Sequence, residues 1–208
     1  MIILFCFIIL PKFQKNFSHI GILSAMPEET GLILENLKSI KSSKYGDIEL
    51  FSGIYVSNNS KEVFVTTAWS GWGKVSAARA TTRLITSTLN SLPVELVLFT
   101  GVAGAVDKRL KQWDVILSDS VIQHDMDARP LFEKYVIPAI NDKKIFPNKN
   151  LLDFIFFKLE QKLCSKSFLK FGSIYKGLIA TGDMFISDED KIKNLAKDIE
   201  GLSAVEME

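Results

Sequence analysis

The sequence predicts an α/β fold, a sandwich built on a largely parallel sheet, occupying residues 18–208. Three observations predict it. Short apolar runs recur at residues 20–24 and 94–100, the pattern of strands buried on both faces. Helix-like segments separate the strand-like ones, which is the alternation of layered α/β folds. Glycine-bearing turns follow the runs after Trp69, Thr100 and Ala180. In such sheets ligands gather at the carboxyl ends of strands, so those turns are where function is expected.

The elements follow in order. Residues 20–24 form a first buried strand. Pro27 then suits a first helical position, and Glu28 and Glu29 suit the positive end of a helix. Leu32, Ile33, Leu34 and Leu37 are expected to give that helix its apolar face. Residues 48–56 and 63–69, split by Ser57-Asn58-Asn59-Ser60-Lys61, read as a hairpin. Ser70-Gly71-Trp72-Gly73-Lys74 ends the second strand and opens a helix expected to reach about residue 90. Residues 94–100 form a second buried strand that stops at Gly101-Val102-Ala103-Gly104. Residues 115–121 form another, followed by the polar loop Gln123-His124-Asp125-Met126-Asp127. A helix over residues 150–169, a strand over 171–180, a helix over 188–199 and a strand from 203 to 207 complete the pattern.

Composition bounds the function. The chain has 208 residues, 47% of them hydrophobic and 24% charged, which suits one globular core. With 25 basic and 24 acidic side chains there is no overall field to draw nucleic acid. Cys6 and Cys164 are too few for a disulfide framework. His19 and His124 are the only histidines, which argues against a multi-histidine metal centre. Residues 1–10 are an unbroken apolar run closed by Pro11, with Lys12 and Lys15 behind it. A membrane-crossing helix needs about 20 residues, so the run does not span. Two readings stay open for it. It is an export leader lacking preceding basic residues, or it is an added strand or misplaced start. Residues 1–17 are therefore set aside as an extension.

Taken singly, the motifs have ordinary explanations. Glu28 and Glu29 complement a helix dipole. Thr100-Gly101-Val102-Ala103-Gly104 is either a tight turn or a row of N–H groups offered to an oxygen-rich ligand. His124-Asp125-Met126-Asp127 offers metal-ligand types but no partner cluster, which favours a hydrogen-bonded loop. Phe185 would ordinarily be core.

In this order and spacing, however, they resemble one family. Ile20-Gly21-Ile22-Leu23-Ser24-Ala25-Met26-Pro27-Glu28-Glu29, Ser70-Gly71-Trp72-Gly73-Lys74-Val75, Thr100-Gly101-Val102-Ala103-Gly104, His124-Asp125-Met126-Asp127, Thr181-Gly182-Asp183-Met184-Phe185-Ile186 and Val205-Glu206-Met207-Glu208 are similar to the successive motifs of the methylthioadenosine/S-adenosylhomocysteine nucleosidases, in the nucleoside phosphorylase superfamily. The resemblance covers residues 19–208. It implies a three-layer α/β/α sandwich with a mixed central sheet, and a homodimer with no metal and no organic cofactor, acting in the cytoplasm in methionine salvage. Water would cleave adenine from the sugar. Residue by residue, it implies that Glu29 activates the water and Glu208 holds the ribose hydroxyls. Met26 and Met207 would pack on the sugar, Phe185 would stack on adenine, and the backbone of Ile186 would read the adenine edge. Glu206, Ala103 and Gly104 fall in the same motifs. Trp72 stands where the family has a smaller aliphatic residue, and Val102 where it has a small hydroxyl residue.

The family places its general acid, an Asp in a Ser-Asp sequence, on a further strand that precedes a long helix. The sequence ends at Glu208, so that strand, that helix and that acid are expected to be missing. General acid help is worth about 10²–10⁴ in rate, so weak turnover is expected of this polypeptide. Two rivals remain. A phosphorylase would need a phosphate site, against which Glu28 and Glu29 place like charge. A binder of acidic glycan or lipid surfaces would use Lys158, Lys162, Lys166 and Lys170, spaced to line one helix face behind Lys143, Lys144 and Lys149. An ordinary solvated helix face explains those lysines equally.

Overall fold

The computed structural model describes residues 2–9, 16–164 and 171–208, with the backbone alone for residues 2–9 and 164. In chain order its elements are β1 (Ile2–Ile9), β2 (His19–Ser24), α1 (Pro27–Thr30), a 3-10 turn (Leu34–Asn36), β3 (Leu37–Tyr45), β4 (Ile48–Val56), β5 (Glu62–Trp69), α2 (Lys74–Ile85), β6 (Thr88–Leu89), β7 (Leu92–Pro93), β8 (Leu96–Ala105), β9 (Val115–Gln123), β10 (Lys144–Ile145), α3 (Lys149–Cys164), β11 (Ile174–Thr181), α4 (Glu189–Asp198) and β12 (Leu202–Val205). They form two compact units: Phe7–Gly101, and Met1–Cys6 with Val102–Glu208.

In the unit Phe7–Gly101, β2 lies between β5 and β8 and is parallel to both. β4 and β3 extend β5 by antiparallel pairing, so the sheet is mixed. The alternation along β2 shows why it is buried on both faces. Leu23 packs in one cluster with Leu50, Ala68, Leu84, Val94 and Val97. Ile22, its neighbour, packs in another with Leu37 and Val65. Gly21 admits α2: a Cβ there would sit 3.0–3.1 Å from Leu84 and Val94 side-chain atoms.

The other unit is also mixed. β11 runs parallel to β9 on one side and to β12 on the other, while β12 runs antiparallel to the last residues of β8. Residues Ile3–Phe5 of β1 pair in parallel with Val115–Leu117 of β9, and β10 pairs antiparallel to β9. Ile122, Leu178, Ala180, Ile199, Leu202 and Val205 form its core, joined by Leu195 of α4 and by Ile186.

Several expectations need correction. The helix begun at Pro27 lasts four residues, because Gly31 turns the chain with φ 56°. Ile33 and Leu34 then pack from the 3-10 segment, Leu37 packs from β3, and Leu32 is 66% exposed. β3 was not expected at all. Only Leu37 of its nine residues is buried, so it carries no apolar alternation. It is set by pairing with β4 through the turn Tyr45-Gly46-Asp47-Ile48, where Gly46 has φ 66°. α2 stops at Ile85, short of residue 90. Asn90 and Ser91 take φ 50° and 62° and close the small β6–β7 hairpin, as left-handed turn residues do. β8 does not stop at Thr100 but runs through Gly101 to Ala105, so Thr100–Gly104 is extended strand rather than a tight turn. The helix expected over 150–169 is described as Lys149–Cys164, and its expected remainder lies outside the described residues.

Candidate active site

In the unit Phe7–Gly101, β2 delivers Ala25 and Met26 to the start of α1, and one turn later Glu29 folds back on them. Its Oε2 accepts the backbone N–H of Ala25 at 2.8 Å and of Met26 at 3.2 Å. This is the reciprocal half of a capping box, with Glu29 at the third helical position. The same two peptide groups are held from behind. The Ser70 N–H donates to the Ser24 carbonyl at 2.9 Å, and the Gly71 N–H donates to the Ala25 carbonyl at 3.0 Å. Each peptide thus accepts from the turn after β5 and donates to Glu29. On the other side lies Gly101: a Cβ there would be 3.2 Å from Glu29 Oε1 and 3.4 Å from both Cδ and Oε2. Trp72 follows in the same turn and is 64% exposed. Met26, Glu29 and the Trp72 turn are therefore brought together. The contact of Gly101 with Glu29 had no sequence signal beyond the glycine itself.

The neighbourhood of this carboxylate is braced by polar contacts. The Trp69 indole N–H donates to Thr30 Oγ1 at 2.7 Å, and the Phe51 and Trp69 rings pack at 4.8 Å. Lower in the sheet, His19 is fully buried. Its Nδ1 donates to the Leu92 carbonyl at 2.9 Å, which leaves Nε2 to accept from Thr66 Oγ1 at 2.8 Å. Thr66 in turn meets Ser52 Oγ at 2.8 Å. Burial holds the His19 ring below its ordinary pKa.

In the unit containing Val102–Glu208, the candidates gather where β11 and β12 end. Gly104 of β8 pairs with Val205, which places Val102, Ala103 and Gly104 beside the strand that leads into Glu206, Met207 and Glu208. The Glu206 N–H donates to the Ala180 carbonyl at 3.0 Å, tying this tail to the end of β11. The Glu208 N–H donates to Glu206 Oε2 at 2.6 Å. From Ala180 the chain continues through Thr181 and Gly182 to Phe185, whose ring is 79% exposed, and to Ile186, which packs on the core of this unit. Phe185 is not core.

His124-Asp125-Met126-Asp127 shapes this turn as a hydrogen-bonded loop. The Asp183 N–H donates to Asp125 Oδ2 at 2.9 Å, and the His124 N–H donates to the Thr181 carbonyl at 2.8 Å. Gly182 lies against the His124 ring so closely that any side chain there would overlap it. Asp127 pairs with Arg129 at 2.5 Å, which lowers its carboxyl pKa to about 2. Among the described residues no group of three or more His, Cys, Asp or Glu could hold a metal ion. Of the lysine row, Lys158 and Lys162 lie exposed on α3, while Lys166 and Lys170 fall outside the described residues.

Comparison with known proteins gives the family. The model of the phosphorylase superfamily matches residues 19–208. A 5′-methylthioadenosine/S-adenosylhomocysteine nucleosidase of Haemophilus influenzae (strain PittEE) is 35% identical over 190 residues, 91% of this chain and 75% of that protein. Among solved structures, the nucleosidase of the same name from Colwellia psychrerythraea 34H, in complex with adenine, has a TM-score of 0.73 at 28% identity and covers 92% of this chain and 73% of its own. A futalosine hydrolase mutant of Helicobacter pylori strain 26695 has the same TM-score at 27% identity, with 93% and 82% covered. With its mixed sheets and ordered motifs, the chain belongs to the phosphorylase superfamily, in the family of the 5′-methylthioadenosine/S-adenosylhomocysteine nucleosidases.

Proposed function

We propose that the protein hydrolyses the N-glycosidic bond of 5′-methylthioadenosine and S-adenosylhomocysteine, releasing adenine. The observation that carries this reading is the Glu29 carboxylate, fixed by two main-chain N–H groups just beyond the end of β2. The reaction needs such a group. As the bond from sugar C1′ to adenine breaks, the electron pair leaves with the base and the sugar gains oxocarbenium character. Water forms the new bond to C1′ and gives up a proton, for which a positioned carboxylate is the acceptor. The departing adenine takes up one proton.

In this reading Glu29 is that base. Phe185 stacks on adenine, which suits a ring 79% exposed, since a flat aromatic offers contact area at small entropic cost. Ile186 reads the adenine edge through its backbone, Glu208 orients the ribose hydroxyls, and Met26 and Met207 pack on the sugar. Glu206, Trp72, Val102, Ala103 and Gly104 are assigned to substrate binding in the same reading. The resemblance extends the reading to a homodimer working in methionine salvage.

The match to futalosine hydrolase supports a second reading, the same bond cleavage on futalosine. Both are tested by offering each nucleoside with and without phosphate, while following free base by chromatography and nucleoside binding by calorimetry. Phosphate-independent adenine release from methylthioadenosine is expected. Preference for futalosine would select the second reading, and phosphate-dependent turnover would move the protein to the phosphorylases. Absence of both binding and turnover with all of these nucleosides would overturn the proposal.

A further inference from the structure

We infer that Gly101 is a positioning residue for Glu29, its missing side chain setting where the carboxylate stands. Three observations lead there. Gly101 is buried within β8 and has no left-handed φ, so no backbone conformation demands a glycine at this position. What demands it is space: a Cβ would sit 3.2 Å from Glu29 Oε1, 3.4 Å from Cδ and 3.4 Å from Oε2, and so would press on the whole carboxylate at once. The carboxylate has little room to retreat, because Oε2 is already committed to the N–H groups of Ala25 and Met26. Those peptides are themselves fixed by Ser70 and Gly71. A methyl group at Gly101 therefore shifts the carboxylate by a few tenths of an ångström and stretches its two main-chain hydrogen bonds.

The catalytic meaning of this seat rests on the proposed hydrolysis, but the seat itself does not. For a group that must meet a water molecule in one orientation, such a displacement reduces turnover while leaving nucleoside affinity nearly intact.

The test uses Gly101→Ala in the full chain, alone and combined with Glu29→Asp. The first readout is hydrogen exchange of the Ala25 and Met26 amides by NMR, which needs no activity. In Gly101→Ala these two amides are expected to exchange about 10-fold faster, while core amides such as that of Leu23 are unchanged. The second readout is adenine release: kcat is expected to fall about 10-fold with KM within about twofold. Glu29→Asp withdraws the carboxylate by one methylene, so in that background Gly101→Ala should change neither readout. Unchanged amide exchange in Gly101→Ala overturns the inference, as does an equal effect in the Glu29→Asp background. If the amides respond but wild-type protein neither binds nor hydrolyses the nucleosides, the seat stands and the proposed reaction falls.

Discussion

Glu29 and Phe185, one in each unit, are anchored in opposite ways. The carboxylate of Glu29 is itself held: it is half-buried, accepts two main-chain N–H groups and rests against a glycine. For Phe185 only the supporting backbone is held, through Asp125 on the Asp183 N–H and through the packing of Ile186, while the ring projects into solvent. A group that must receive a proton from one direction gains from a fixed position. A surface that accepts a flat base gains most from being open when the base arrives. Under the proposed reaction, placement therefore limits the carboxylate, and ligand contact limits the ring.

Breaking each anchor should separate the two. The largest effect is expected from Glu29→Gln, which keeps the shape and removes the base. Adenine release should fall about 10²–10⁴-fold with binding of methylthioadenosine nearly unchanged. Phe185→Ala should do the reverse. Base stacking on an aromatic ring is worth about 1–3 kcal/mol, so calorimetric affinity for adenine nucleosides should fall about 5–150-fold. Stability should stay within about 0.5 kcal/mol, because the ring is exposed. Equal losses of affinity in both variants would erase the contrast.

Asp125→Ala sharpens it further by loosening the support of the ring rather than the ring. Losing the acceptor for the Asp183 N–H should cost about 1 kcal/mol, seen as roughly fivefold weaker binding with kcat unaltered. The smallest effect concerns the unit that carries Glu29. His19 is buried and its pKa lies below the usual 6.5, so the unfolded chain binds the proton more readily than the folded one. Stability is then complete above about pH 6.5 and declines as pH falls below it. Urea midpoints at pH 7.5 and 5.5 should differ in that direction, and His19→Gln should flatten the difference.

Much of this was legible in the sequence because it was local. Buried strands announce themselves by apolar runs, and the strands at residues 20–24, 48–56 and 115–121 stand where the composition put them. Phe185 and Glu208 were identified through contiguous motifs that resemble a family. What was hidden is what depends on partners far along the chain. β3 is mostly polar and exists because β4 offers it an edge. Leu32, Ile33 and Leu34 suggested helix by their spacing, yet one residue, Gly31, had already turned the chain. Gly101 looked like turn chemistry, whereas its meaning lies in a carboxylate 72 positions earlier in the sequence.

The hold on Glu29 is written in peptide groups and not in side chains. Ser70 and Gly71 give their N–H groups to Ser24 and Ala25, and Ala25 and Met26 give theirs to the carboxylate. A survey that trims side chains one at a time would pass over this clamp without registering it. Only proline at residue 25, 26, 70 or 71 deletes a strut outright, by removing the hydrogen it needs. The Glu29 carboxylate is thereby insulated from side-chain change in the turn behind it, and substitutions at the half-buried Ser70 that keep the main-chain path can accumulate without moving it.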